Sequence, residues 1–355
     1  MEDRLRLIAD AQQRITDKKS KIFFYLPSMP HASGGIGVVY EHVRTLTELG
    51  YDAMVVYNGT DYKKPTWLGE PYVSLKHLRL DDKHKPITVT MDDILIIPEG
   101  FTNVMENTSK MPCKRIVLCQ SYQYVLDSLM PGIGWDYFGI RDVMVVTPTL
   151  KTYLENVFGK RRFKITTCRP SVDDKIFKPS SRPKIPIIAI SARDPQVVLN
   201  LTKHFYMAHP QYKWVSFKHM ADLSREGFAE HLGSACLAVW VDRIAGFGTF
   251  PIECAKAGTP FIGLIPDIVP EYASNEHGIW TNNLLDIPAI IASYFKHWFE
   301  DKEPKEILDG LKDLATMYTR EQEIETISTL YGEYFSERSN ELSEIAKKVK
   351  EEELI

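Results

Sequence analysis

The feature that most constrains this sequence is an alternation of short apolar runs with segments of helical periodicity. The runs of the first half are KIFFYLP from Lys21, DAMVVY from Asp52, DILIIP from Asp93, RIVLC from Arg115 and DVMVVT from Asp142. Because polar residues do not alternate within them, these runs predict strands buried on both faces. Between the first two, GVVYEHVRTLTELGY carries apolar residues at helical spacing and ends at Gly50. Buried strands separated by helices predict a parallel sheet with crossover connections.

A polar segment rich in proline, TTCRPSVDDKIFKPSSRPKIP from Thr166, interrupts the pattern and predicts a linker. Beyond it the apolar runs return as IIAISA from Ile187, KWVSF from Lys213, CLAVWV from Cys236, PFIGLI from Pro260 and GIWT from Gly278. A chain of 355 residues is also long for one core. We therefore predict an N-terminal α/β domain over residues 1–178, a C-terminal α/β domain over 179–325, and a charged helical tail over 326–355 that could pack back on the N-terminal domain.

Composition narrows the class of protein. Hydrophobic residues make up 44% and charged residues 25%, an ordinary globular mix, and the net charge of −4 demands no polyanionic partner. No apolar stretch is long enough to span a membrane, and the N-terminal MEDRLRLIADAQQRITDKKSK lacks a secretory core and predicts a polar helix. The five cysteines form no CxxC pair, and the histidines form no HxxxH pattern. We expect a cytoplasmic protein with reduced thiols, without a bound metal or cofactor.

The first of two glycine-rich segments, HASGGIGVVYEHV, follows the first predicted strand. Ligands of open parallel sheets bind at this end of the strands. Gly34, Gly35 and Gly37 would let the backbone approach a ligand, and free N–H groups at the start of the next helix favour an anion. A tight strand-to-helix turn explains the same glycines without a ligand.

The second segment, DRIAGFGTFPIECAKAGTP, follows the run CLAVWV. Gly246, Gly248 and Thr249 can direct their amides toward a phosphate, and a proline marks the helix start. Glu253, on the first or second turn, is suited to accept hydrogen bonds from sugar hydroxyls rather than to contact a phosphate of like charge. The alternative interpretation is a solvated glutamate favoured by the helix dipole.

This second segment resembles a known motif. GFGTFPIECAKAGTPFIG is similar to the donor-site motif of retaining nucleotide-sugar glycosyltransferases with the GT-B fold, which reads Glu-Gly-Phe-Gly, four residues, then Glu-Ala-Met-Ala-x-Gly-x-Pro. GGIGVVYEHVRTLTELGYDAMVVY resembles the family's first glycine loop and helix, DILIIPEGF with KRIVLCQSYQYVL resembles a bacterial branch, and CRPSVDDKIFKP resembles the family's linker. These matches span roughly residues 21 to 281 in the family's order.

The resemblance implies two Rossmann-like, doubly wound domains facing a cleft. It implies that Glu253 binds the donor ribose and that Arg193, in ISARDP, neutralises the leaving diphosphate as a bidentate cation. A surface salt bridge is the alternative role of Arg193. The loops that the resemblance assigns to the donor diphosphate are Gly246, Phe247, Gly248 and Thr249 in the second domain and Gly34, Gly35 and Gly37 in the first.

Two positions depart from the family's pattern. Ala245 stands where the family has its first motif glutamate, and Asp242 could replace that carboxylate only if the loop takes a different path. Gln120 stands where many relatives have a histidine near the reacting sugar, and an amide can hydrogen-bond the sugar but cannot act as a base. Retention in this fold is thought to depend on the leaving phosphate, so Gln120 is compatible with catalysis.

Further candidates are His31, Glu99, Tyr122 and Tyr124 for an acceptor, and Lys218 and His219 for the nucleotide. The tyrosines could stack on a sugar or a base, or simply pack a loop. Glu99 could orient an acceptor hydroxyl or cap the next helix. The histidines could equally be ordinary loop or core residues.

The leading hypothesis is a retaining, metal-independent hexosyl- or pentosyltransferase that moves a sugar from a nucleoside-diphosphate sugar to an acceptor hydroxyl, with a glycan as the expected acceptor and domain closure excluding water. A non-catalytic subunit that binds nucleotide sugars or glycans is the alternative, which Ala245 favours. A third hypothesis is glycosylation of modified bases of phage DNA. It rests on the basic cluster FGKRRFK from Phe158, and the overall charge does not favour it. The sequence leaves the oligomeric state open.

Overall fold

The computed structural model describes residues 2–28, 31–298 and 305–351, with residues 305–307 described by their backbone alone. The α-helices of these ranges are α1 (Glu2–Thr16), α2 (Gly34–Glu48), α3 (Thr102–Asn107), α4 (Tyr122–Ser128), α5 (Pro148–Phe158), α6 (Pro195–Ala208), α7 (Arg225–Ser234), α8 (Phe250–Lys256), α9 (Ile287–Trp298), α10 (Lys305–Thr316) and α11 (Arg320–Glu351). The β-strands are β1 (Lys21–Tyr25), β2 (Asp52–Tyr57), β3 (His77–Arg79), β4 (Ile94–Pro98), β5 (Lys114–Cys119), β6 (Asp142–Val145), β7 (Lys164–Thr167), β8 (Ile185–Ala192), β9 (Ser216–His219), β10 (Ala235–Val241), β11 (Phe261–Leu264) and β12 (Ile279–Thr281).

The first sheet is parallel and has the strand order β3-β2-β1-β4-β5-β6-β7. The central strands are apolar because both of their faces are covered; Ile22 and Phe23, adjacent in β1, are both fully buried. The order reverses between β1 and β4. This reversal makes the sheet doubly wound, and in open sheets of this kind ligands generally bind at the carboxyl ends of the two strands beside the reversal.

The second sheet is also parallel, in the order β12-β11-β10-β8-β9. Its order reverses between β8 and β10. A core of aliphatic and aromatic side chains, including Ile190, Phe205 and Phe295, covers one face of this sheet. Two doubly wound α/β sheets are the Rossmann-like fold class that the sequence predicted, so this prediction is confirmed.

The chain divides into two compact units. The first contains Met1–Val146, Leu154–Arg169 and Glu321–Ile355, and the second contains Thr147–Tyr153 and Pro170–Arg320. The second unit therefore begins before the predicted boundary at residue 178, because the proline-rich segment packs with it. Phe177, for example, lies edge-on to Phe228 with ring centroids 6.2 Å apart.

The C-terminal helix α11 belongs to the first unit from Glu321 onward. Tyr331, Tyr334 and Phe335 are buried in that unit's main core, with Phe335 stacked on Tyr51 at 5.6 Å between ring centroids. The tail predicted over 326–355 is thus a core element of the first unit as far as residue 351, and its last residues lie outside the described ranges.

Each apolar run that predicted a strand is found in one of the sheets, although KWVSF lies mostly before β9. The sequence analysis missed β3 and β7. Both are edge strands of the first sheet, and an edge strand has fewer buried positions, so neither carries a continuous apolar run. All five cysteines are buried thiols.

Within the described ranges no helix combines the length and the apolar character of a membrane span. The same ranges contain no cluster of three or more His, Cys, Asp and Glu side chains that could hold a metal ion.

Candidate functional site

The reversal of strand order in the second sheet brings two charged residues together. Arg193 directly follows β8 and Asp242 directly follows β10, the two strands between which the order reverses. Arg193 Nε donates to Asp242 Oδ2 at 2.7 Å, and the arginine side chain is 47% exposed whereas the aspartate is 15% exposed. The carboxylate of Asp242 is therefore bound to Arg193 in this structure. A half-exposed guanidinium at the carboxyl ends of these two strands is suited to an anionic ligand.

The glycine-rich segment that follows β10 is tightly packed around Gly248. This residue has φ of 75°, and a Cβ atom built on it would lie 2.3 Å from Cζ2 of Trp240. The Tyr272 hydroxyl donates to the carbonyls of Phe247 and Gly248, at 2.5 Å each. Only glycine combines this backbone conformation with this close approach, so the residue type is explained by the fold without reference to a ligand.

Glu253 lies on the first turns of α8, four residues after Thr249, and is half-buried. Burial raises the pKa of Glu253 to about 7, although a hydrogen bond with Thr249 and the charge of Arg225 oppose the shift. The structure thus argues against the interpretation of Glu253 as a freely solvated glutamate. A half-buried carboxyl that changes charge near neutrality is a group whose hydrogen bonding to a ligand depends on pH.

The remaining candidates of the second unit lie on edge strand β9. His219 Nε2 is 3.0 Å from the carbonyl oxygen of Ala192, the residue before Arg193, so it supports the turn that carries that arginine. His219 also lines an open cavity of about 470 Å³ together with Pro195, Tyr206 and Phe217. Lys218 faces the opposite side of the sheet from its two neighbours in the strand.

In the first unit, Gly34, Gly35 and Gly37 form the first turn of α2 rather than a loop. Ser33 is the extended residue before the helix, and the amide of Gly37 already donates to its carbonyl at 3.0 Å. None of these glycines has a positive φ. At Gly35 a Cβ would lie 3.3 Å from Oε1 of Gln120, so a larger residue would require a small shift of that side chain.

Gln120 follows β5 and lies against this first turn. Its Nε2 donates to the carbonyl of Gly35 at 3.2 Å. The side chain predicted to hydrogen-bond a sugar therefore holds the start of α2 in this structure. That contact joins the segment after β5 to the start of α2, the helix that follows β1, and these two strands lie on either side of β4.

Glu99 follows β4 and is 2% exposed. Its Oε1 accepts the amides of Gln120 at 3.0 Å and Ser121 at 2.8 Å, and the Ser121 hydroxyl accepts the amide of Gln123. Glu99 and Ser121 together cap the start of α4. Burial raises the pKa of Glu99 to about 7, although the two amides favour the charged form. Of the two predicted roles the structure supports capping, but the capped helix is α4 rather than the helix that comes next in the chain.

The other acceptor candidates are more accessible. Tyr124 on α4 is 47% exposed, Tyr122 at the start of α4 is half-buried, and His31 is exposed. Tyr124 lies on the helix that Glu99 caps, and exposed aromatic rings are a common contact for the apolar face of a ligand.

The basic segment FGKRRFK is partly neutralised within the first unit. Arg162 forms an ion pair with Asp136 at 2.9 Å, and Lys164 forms one with Glu337. These pairs weaken the argument for a nucleic-acid surface, because paired cations release fewer counterions on binding DNA.

Sequence reasoning missed Tyr272 and Trp240, which shape the loop around Gly248. Trp240 lies inside a predicted strand and was interpreted only as an apolar residue. Tyr272 lies in a turn with no motif, and only the three-dimensional contact with Gly248 reveals its role.

No family model matches this sequence. Among curated proteins, the chain is similar to an alpha-1,6-glucosyltransferase of Actinobacillus pleuropneumoniae serotype 7 (strain AP76), with 23% identity over 246 residues, which cover 68% of this chain and 72% of that relative.

Solved structures with a similar fold include sucrose-phosphate synthase from Thermosynechococcus elongatus, with a TM-score of 0.66, 12% identity, and coverage of 89% of this chain and 99% of that one. The pneumococcal O-GlcNAc transferase GtfA, solved in complex with UDP and GlcNAc, matches with a TM-score of 0.65 and 9% identity over 90% of this chain and 99% of that one. At these identities the likeness shows the fold. The chain thus has the two-domain α/β fold of GT-B glycosyltransferases that the sequence predicted.

Proposed function

We propose that this protein is a retaining glycosyltransferase, which transfers a sugar from a nucleoside-diphosphate sugar to an acceptor hydroxyl, most simply that of a glycan. The observation that carries the proposal is the arrangement at the reversal of the second sheet. There Arg193, the Gly246–Thr249 loop and Glu253 follow the carboxyl ends of β8 and β10. The similarity to an alpha-1,6-glucosyltransferase and to a structure that contains UDP and GlcNAc supports this choice of chemistry.

Each group has a distinct part in the proposed reaction. Arg193 stabilises negative charge on the departing diphosphate, and the loop amides add hydrogen bonds to the same oxygens. Because Arg193 is bound to Asp242, a bound diphosphate either shares the guanidinium with Asp242 or displaces the aspartate from it. Glu253 accepts hydrogen bonds from sugar hydroxyls of the nucleotide.

The first unit is proposed to bind the acceptor, through Tyr122, Tyr124 and His31. Gln120 cannot act as a base. No carboxylate or histidine is assigned as a nucleophile or base, so the leaving phosphate itself is proposed to take the acceptor proton, which is the route that retention in this fold implies. This part of the reaction requires no metal.

The alternative function is a non-catalytic subunit that binds a nucleotide sugar. The observation that favours it is Ala245, which is 4% exposed and leaves the loop without the family's first carboxylate. Only the glycosyltransferase would release sugar from a bound donor or transfer it to an acceptor, so an assay for either product separates the two functions. A retaining enzyme also yields a product with the donor's anomeric configuration, which NMR of the product identifies.

We expect Arg193→Ala to weaken the binding of UDP at least about tenfold, because a charge-assisted hydrogen bond contributes roughly 1.5–3 kcal/mol. Isothermal titration calorimetry with UDP, GDP and ADP measures the effect with whichever nucleotide binds. Arg182→Ala is the matched control, because Arg182 precedes the other end of β8 and its loss changes the net charge equally.

Equal losses of affinity in Arg193→Ala and Arg182→Ala would show that only the general charge matters and would contradict the assignment of Arg193. If the unaltered protein binds none of the three diphosphates or their sugar conjugates, the proposed function itself is wrong.

We expect the affinity for a nucleoside-diphosphate sugar to increase several-fold as the pH rises through about 7, the pKa of Glu253. The ionised carboxylate accepts hydroxyl bonds on both oxygens, whereas the protonated form loses part of that capacity. Titrations between about pH 6 and pH 8 measure the slope. Glu253→Gln should flatten it, and Glu230→Gln, at an exposed site of the same unit, should leave it unchanged. A slope that persists in Glu253→Gln assigns the titration to another group.

A further inference from the structure

Tyr272 is a buried residue of the second unit that lies in a turn, outside every helix and strand. It is 1% exposed, and its ring contacts three others: Phe247 at 5.5 Å, Tyr318 at 5.9 Å and Trp280 at 6.3 Å between centroids. These contacts fix the ring and leave the hydroxyl at one position under the glycine-rich loop.

The hydroxyl of Tyr272 determines how the loop's peptide groups are oriented. Its oxygen lies 2.5 Å from the carbonyl oxygens of both Phe247 and Gly248, so its single proton is shared between the two acceptors. In a trans peptide the N–H points opposite to the C=O. With both carbonyls directed at Tyr272, the amides of Gly248 and Thr249 point to the other side of the loop.

Gly248 and Thr249, which carry those two amides, are both half-buried rather than fully buried. Within the described ranges neither the amide of Gly248 nor that of Thr249 donates a hydrogen bond to another group of the protein. Successive amides directed to one side form a concave site for an anionic oxygen.

Trp240 closes the other side of the loop. A Cβ on Gly248 would lie 2.3 Å from the indole, whose ring is itself held edge-on by Trp280 at 6.0 Å between centroids. The loop is therefore packed between the indole of Trp240 and the hydroxyl of Tyr272, and its peptide groups have little room to rotate.

We propose that Tyr272 is a positioning residue, whose hydroxyl holds the carbonyls of Phe247 and Gly248 inward so that the amides of Gly248 and Thr249 face the diphosphate of the donor. The identity of the ligand in this inference rests on the proposed function, whereas the effect of Tyr272 on the order of the loop does not. Burial, reinforced by Tyr318 and Glu271, raises the pKa of Tyr272, so the hydroxyl remains a donor near neutral pH.

The test uses Tyr272→Phe, which keeps the ring and removes the donor. We expect UDP, or whichever nucleoside diphosphate binds the unaltered protein, to bind at least about tenfold more weakly. NMR order parameters of the amides of residues 247–249 should fall from the rigid range, about 0.85, toward the flexible range. Incorporation of p-aminophenylalanine at position 272 supplies N–H donors in place of the O–H and should restore both the affinity and the order.

Tyr294→Phe is the matched control. The Tyr294 hydroxyl is also buried in the second unit and donates to a backbone carbonyl, that of Cys236 at 2.9 Å, near the other end of β10. We expect both variants to lower Tm by a similar few degrees, while Tyr294→Phe changes the affinity less than about twofold.

Unchanged order and unchanged affinity in Tyr272→Phe overturn the inference, and so does an equal loss of affinity in Tyr294→Phe. If the unaltered protein binds no nucleoside diphosphate, the proposed function fails while the order parameters still test the positioning role. If Tyr272→Phe does not fold, the p-aminophenylalanine variant decides: normal affinity supports the inference, and weakened affinity with a normal Tm overturns it.

Discussion

We expect Gly248→Ala to lower the free energy of unfolding of the second unit by about 3 kcal/mol or more, the largest effect of any single methyl group in the candidate site. The backbone conformation, with φ of 75°, costs roughly 1–2 kcal/mol for a residue with a Cβ. The Cβ would also meet Trp240 at 2.3 Å, and overpacking of this kind costs a further 1–3 kcal/mol or so. Trp240 is only 2% exposed and packs against Trp280, so it cannot turn away without disturbing the sheet.

Gly258→Ala separates the two contributions. Gly258 lies in the same unit and also has a positive φ, 63°, but a Cβ there would make an ordinary contact of 3.5 Å with Pro179. We expect it to cost about 1 kcal/mol, the conformational part alone. Chemical denaturation of both variants gives the comparison. Equal costs would mean that the loop relaxes away from Trp240 and that the steric part of the argument is wrong.

The second large effect concerns pH. Glu99 has a pKa of about 7 in the folded protein, raised from 4.5 by burial. The folded state therefore binds the proton more tightly than the unfolded state, and this stabilisation is fully present below about pH 4.5 and is lost as the pH rises to about 7. A shift of this size corresponds to roughly 3 kcal/mol.

Glu99→Gln tests this effect because the amide oxygen can still accept the N–H groups of Gln120 and Ser121. We expect the free energy of unfolding of the variant minus that of the unaltered protein to increase by about 3 kcal/mol between pH 4.5 and pH 8, because only the unaltered protein loses stability over this range. Using the difference between two pH values removes any cost of the substitution that does not depend on pH. Glu333→Gln, at an exposed position of the same unit, should show no such change. A flat difference for Glu99→Gln would show that the two amide hydrogen bonds outweigh burial and keep the carboxylate ionised.

The architecture could be predicted well from the sequence, because strands covered on both faces must be apolar along their whole length. The runs at Lys21 and Cys236 identify central strands for this reason. The edges of the sheets carry a weaker signal: β3 and β7 have no continuous apolar run, and β9 begins within the run KWVSF rather than at its start. The helix α11 was recognised as helical, but its amphipathic stripe does not say which core it completes.

The candidate site was predicted unevenly. Arg193 and the Gly248 loop do lie at the reversal of the second sheet, since the position of a strand's end follows from the chain itself. Their roles toward a donor remain predictions. Gln120 was assigned to the sugar, yet in the structure it bonds Gly35. Glu99 was assigned either to an acceptor hydroxyl or to a helix cap, and in the structure it caps α4. The binding partner of a polar side chain depends on which distant segments fold beside it.

The sequence alone determined the alternation of strands and helices, and with it the segments that carry Arg193 and Glu253 after their strands, because hydrophobic periodicity and parallel connections are local properties of the chain. Tertiary structure decided which side of the glycine-rich loop is available to a ligand. That choice depends on Tyr272, which lies 24 residues along the chain from Gly248 yet donates to its carbonyl. A contact of this kind leaves no periodic signal, and so it becomes visible only when the folded chain brings the two segments together.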